Sequence, residues 1–71
     1  MIRQYRNSEV IEIISEYIHN ERDRGIMIRR LTDQATIERI AEEYDMSTSQ
    51  VKRIIKKCSE EIFRHIQEER N

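Results

Sequence analysis

The chain contains no proline and no tryptophan, and it has one glycine, one phenylalanine and one cysteine. Sheet-forming chains place proline and glycine in their turns, so their scarcity favours an all-helical fold. One cysteine, Cys58, excludes an intramolecular disulfide framework. No apolar run approaches the length needed to span a bilayer. The opening residues MIRQYRNSEV lack the apolar stretch of a secretory signal, so the expectation is a soluble cytoplasmic protein. There is no glycine-rich phosphate loop. His19 and His65 stand far apart with no metal-ligand pattern around them. The carboxylates have no apolar pocket that would separate an acid from a base. Cys58 has no matched histidine. These absences argue against an enzyme, and no metal or cofactor is expected.

What is present is a short, charged chain. It has 71 residues, 37% hydrophobic and 38% charged, with a net charge of −1. That suits one small domain with a thin core of Ile, Leu, Val and Met, of a size often stabilised by pairing with a second copy. The charge is unevenly placed. Between Ser47 and Lys57 lie Lys52, Arg53, Lys56 and Lys57 and no acid, whereas Glu38, Glu42, Glu43 and Asp45 precede them and Glu60, Glu61, Glu68 and Glu69 follow. Local distribution matters more than the sum when the partner is a polyanion.

Hydrophobic spacing divides the chain into a flexible N-terminus over residues 1–7 and one helical domain over residues 8–68. Asn7 or Ser8 is placed to cap a first helix. Its apolar residues Val10, Ile11, Ile13, Ile14, Tyr17 and Ile18 span an arc of about 160°, wider than one neighbouring helix requires. Polar Asn20 to Arg24 and then Gly25 read as its end, with a short second helix from about Arg24 to Leu31. After a turn at Thr32-Asp33-Gln34, Thr36 is placed to cap a third helix carrying Ile37, Ile40, Ala41 and Tyr44 on one face. Asp45 and Met46 make a second turn. Ser47, with Gln50 three residues on, matches a capping box that opens a long C-terminal helix. Its stripe is Val51, Ile54, Ile55, Cys58, Ile62 and Ile66, which places Cys58 in the core. Ser49, Lys52, Arg53 and Lys56 fall on the opposite side.

The segment over residues 36–57, TIERIAEEYDMSTSQVKRIIKK, carries the most information. Small Ala41 lets two helices cross closely. Val51 and Ile54 follow at helix-turn-helix spacing, and Asp45 stands in the turn where glycine is usual, as one of the side chains that tolerate positive φ. The stretch from Arg24 to Ile66 resembles promoter-reading region 4 of bacterial sigma factors and is similar to the reading domain of LuxR-type regulators. The matching residues are Leu31, Asp33-Gln34-Ala35, Thr36, Ile40-Ala41, Glu42-Glu43, Met46-Ser47, Val51, Ile54 and Ile62. Many small phage and mobile-element regulators look the same.

The resemblance implies a four-helix domain whose last helix reads double-stranded DNA. Carried over residue by residue, Ser47 and Thr48 would meet a phosphate. Ser49, Gln50, Lys52 and Arg53 would face bases or nearby backbone, with Gln50 suited to adenine and Arg53 to guanine. Lys56 and Lys57 would meet phosphates, with Arg39, Arg29 and Arg30 flanking. A homodimer is expected to pair through Ile11, Ile14, Ile18, Ile62, Phe63 and Ile66. The alternative is a protein-binding adaptor on the same scaffold, directed at a sigma factor, RNA polymerase or another protein.

Overall fold

The computed structural model describes residues 6–70, with side chains described through Ile66. Four helices follow in order: α1 (Asn7–Tyr17), α2 (Glu21–Leu31), α3 (Ile37–Glu43) and α4 (Thr48–Arg70). Among the described residues there is no strand, and the architecture is all-α with a helix-turn-helix and a long C-terminal helix. Residues 1–5 of the expected flexible N-terminus lie outside the described residues.

Two helix ends differ from the expected ones, each for a visible reason. The cap of α1 is Arg6, not Asn7 or Ser8: the Glu9 carboxylate reaches back and accepts from the Arg6 backbone N–H at 3.1 Å. A carboxylate at the third helical position therefore does the work expected of a preceding polar residue. Gly25 does not end α1. Ile18 already has extended backbone, and the Asn20 side chain accepts from Asp23 N–H at 3.1 Å, starting α2 at Glu21, three residues before Arg24. Gly25 thus lies inside a helix, where glycine costs about 1 kcal/mol relative to alanine. The reason is proximity: a Cβ at this position would collide with the Tyr44 hydroxyl at the end of α3.

The core consists of two clusters along α4. One contains Ile14, Ile18, Met27 and Cys58, with Val10, Ile28 and Ile62 packed against it. The other contains Ile26, Ile40, Ala41 and Val51, with Ala35, Ile37, Tyr44 and Met46 around it. Ile54 and Ile55 touch both clusters, and α2 gives adjacent residues, Ile26 and Met27, one to each. Each fully buried Ile or Met contributes about 2 kcal/mol by area removed from water. The expected α4 stripe is the spine of both clusters. Ile14 and Ile18, in contrast, are 1% and 5% exposed within the chain's own core, so they are not available to a partner. The wide apolar arc of α1 is used because α1 packs against both α2 and α4.

Polar contacts hold α3 against α2. Arg29 donates from Nε to Glu43 Oε1 at 2.9 Å and from Nη2 to Glu43 Oε2 at 2.6 Å, a bidentate pair, and from Nη1 to Asp33 at 3.0 Å. The Arg29 hydrogen bonds hold the Glu43 carboxyl below its ordinary pKa. Those same bonds, first from Glu43 and then from Asp33, hold the guanidinium above its own. Gln34 takes a left-handed conformation, φ 56°, in the turn between α2 and α3. Arg30 Nη1 secures that turn by donating to the Ala35 carbonyl at 2.9 Å.

Two outcomes follow for stability. In a Tyr44→Phe background, Gly25→Ala is expected to stabilise by about 1 kcal/mol, the helix-propensity gain. In the wild type the same substitution is expected to gain less or to lose, because the hydroxyl must move. Urea denaturation of the four proteins measures the difference, and equal effects in both backgrounds would remove the steric account. Second, because Glu43 is depressed in the folded state, its contribution is present above the ordinary glutamate range and is lost as pH falls through the depressed value. Thermal melts of wild type and Glu43→Gln should therefore differ at neutral pH and converge in acid.

Candidate nucleic-acid interface

The helix-turn-helix is built by local hydrogen bonds around a small-residue crossing. Thr36 Oγ1 accepts from Arg39 N–H at 3.1 Å and starts α3. Ala41 is 5% exposed, so the crossing with α4 is close at that point. Asp45 has φ 53°, the left-handed conformation that glycine usually supplies, and the chain reverses there. Met46 N–H then donates to the Ala41 carbonyl at 2.9 Å, and its side chain packs on the Ile40–Val51 cluster.

The capping box opens α4 as its sequence implies. Ser47 N–H donates to Gln50 Oε1 at 3.0 Å, and Gln50 N–H donates to Ser47 Oγ at 3.2 Å. This has a chemical consequence. Bidentate recognition of adenine uses both the oxygen and the nitrogen of a glutamine amide, and Gln50 Oε1 also accepts from the Ser47 hydroxyl at 3.2 Å. The Gln50 oxygen that such recognition would use is thus already engaged in the helix cap.

Val51 is fully buried and anchors the helix, while Ser47, Thr48, Ser49, Gln50, Lys52, Arg53, Lys56 and Lys57 are all exposed. Among the described residues no ion pair engages Lys52, Arg53, Lys56 or Lys57. Four unneutralised cations thus lie along about 9 Å of helix axis, at ~1.5 Å per residue. A helix with its side chains is about 10–12 Å across, and the major groove of B-DNA is about 12 Å wide.

The flanking arginines differ in their contacts. Arg39 is exposed but stands 3.5 Å from Glu43 and lines a shallow depression with Arg29, Asp33 and Thr36. Arg29 and Arg30, expected to flank the row, are hydrogen-bonded within α2, α3 and their turn. A further arginine does reach the row. Arg22, in the first turn of α2, shares a groove with Met46, Gln50, Arg53 and Ile54. Linear spacing carries no signal for this, since the meeting depends on how α2 crosses α4.

Among the described residues no group of three or more His, Cys, Asp or Glu is placed to hold a metal ion. His65 stacks on Tyr17 with ring centroids 4.5 Å apart and planes within 3°. Burial pushes the Cys58 thiol above its ordinary pKa, which disfavours the reactive thiolate. Among the described residues no helix is long and apolar enough to cross a membrane.

No curated protein and no solved structure matches the chain. One family model, described as a homeodomain-like domain, matches residues 19–61. Those residues take in α2, α3 and the exposed cationic part of α4, and they leave out α1 and the last turns of α4. The match agrees with the helix-turn-helix fold at the level of architecture and does not single out sigma region 4 or LuxR-type domains. With more than half of its residues covered, including both helices of the motif and the turn between them, the chain belongs to the homeodomain-like helix-turn-helix family.

Proposed function

We propose that the protein is a DNA-binding transcriptional regulator that lays the first half of α4 in the major groove. The observation that carries this reading is the exposed row Lys52, Arg53, Lys56 and Lys57, without an ion pair among the described residues, on a helix whose opposite face, at Val51 and Cys58, is locked in the core. The core fixes the rotation of α4 about its axis, and the groove receives the other side. In this reading Ser47 and Thr48 meet a phosphate at the helix start. Ser49, Lys52 and Arg53 face base edges, and Lys56 and Lys57 meet backbone. The protein acts by binding and not by catalysis. Its likeness to sigma region 4 and LuxR-type reading domains supports transcription as the setting and the cytoplasm as the place.

The proposed assembly is a homodimer, which would present two reading helices to a two-fold operator. Of the six residues expected at the interface, Ile14 and Ile18 are withdrawn into the core. Phe63 at 61% and Ile11 at 38% are exposed, and Ile62 and Ile66 are half-buried. The exposed phenylalanine on the distal half of α4 also supports the second reading, an adaptor that binds RNA polymerase or another protein.

Fluorescence anisotropy with mixed-sequence duplex DNA tests the first reading. Binding is expected to weaken steeply with salt, and Arg53→Ala with Lys56→Ala to flatten the slope of log K against log salt by about two. Wild-type protein that is folded yet fails to bind at low salt would overturn it. For the assembly, sedimentation equilibrium should show a wild-type dimer and a folded Phe63→Glu monomer. A wild-type monomer at DNA-binding concentrations would refute the homodimer.

A further inference from the structure

The row on α4 does not account for every cation near it. Arg22 comes from α2, 31 positions before Arg53, and the two guanidinium side chains line one groove floored by Met46 and Ile54. Like charges converging on a groove repel each other unless an anion lies between them. No carboxylate lines that groove. The acid nearest Arg22 is its neighbour Asp23, 3.1 Å away, and that pair is a weak restraint because the arginine side chain is 53% exposed. Asp23 also lines a separate depression with Tyr17, Lys57, Cys58 and Glu61. Asp23 Oδ1 accepts from both Nε and Nη2 of Arg22, so the acid holds the guanidinium from outside the groove. The cation is held from a second helix, so its distance from Arg53 is set by the Ile26–Val51 packing and not by α4's own periodicity.

We propose that Arg22 is a DNA-backbone contact that forms, with Arg53, a two-guanidinium clamp on one phosphate at the edge of the groove occupied by α4. This rests on the DNA-binding reading above. Guanidinium is the side chain suited to such a contact, since its planar fork matches phosphate oxygens. The clamp fixes register and adds affinity without reading sequence, because its target is common to every nucleotide. It also ties the DNA to α2 directly, so the recognition helix is not the only element held to the duplex.

The test is a salt series of anisotropy titrations with duplex DNA, using Arg22→Gln, Arg24→Gln and Arg53→Gln. Arg22→Gln is expected to weaken binding to all duplexes alike and to reduce the salt slope by about one. Arg24→Gln, which removes an equal charge from the same helix but does not line the groove, should leave the slope unchanged. If Arg22→Gln leaves the slope unchanged while Arg53→Gln reduces it, the clamp is wrong and the DNA-binding reading stands. If Arg22→Gln and Arg24→Gln reduce it equally, the effect is one of general charge, and the clamp is again overturned. If wild-type protein shows no salt-sensitive binding, both the clamp and the reading beneath it fall.

Discussion

The burial of Ile26, Ile40, Ala41 and Val51 against one another sets the angle between α3 and α4, and with it the direction in which the cations of α4 point. One residue of that group comes from α2, two from α3 and one from α4, so the junction joins all three helices at a single place. Ala41 admits the close crossing, and Met46 closes the turn by returning its N–H to the Ala41 carbonyl. Protein interiors are packed near crystal density, so a junction of this kind holds one geometry and does not slide among several. The electrostatic face lies outside it and has only to be mounted on it.

A chain of net charge −1 can present such a face because its charges are sorted by the fold. Glu43 and Asp33 lie along the α2–α3 seam, where Arg29 pairs with both, and Asp23 pairs with Arg22. Lys52, Arg53, Lys56 and Lys57 have no such partners among the described residues. At physiological ionic strength charges are screened beyond about 8 Å, so an approaching phosphate senses the nearby cations far more than the distant acids. Net charge is thus a poor guide to the local field here. The same sorting pairs Arg29 with Glu43 and Asp33 and ties Arg30 to the Ala35 carbonyl.

Much of this was legible in the chain because the governing interactions are local. The Thr36 cap, the Ser47–Gln50 box and the α4 stripe each depend on residues three or four apart, and each is present. Asp45 was legible as a turn residue because few side chains tolerate positive φ. What misled were residues with two physical uses. Glycine both ends helices and permits close approach, and only the position of Tyr44 shows that Gly25 does the second. A wide apolar arc serves either a partner subunit or a second helix of the same chain, and Ile14 and Ile18 serve the latter. An exposed-looking arginine serves phosphate or a neighbouring carboxylate, and Arg29 meets Glu43 fourteen residues away.

The sequence by itself determined the helical class, the positions of three of the four helix starts to within a few residues, and the cationic half of α4. Those follow from backbone capping and from the 3.6-residue period, both of which act within one helix. The tertiary structure decided which apolar residues remain at the surface, which arginines stay free, and that Arg22 stands beside Arg53. These depend on how separate helices cross, and a crossing is set by the mutual fit of side chains far apart in the chain, which no local spacing encodes.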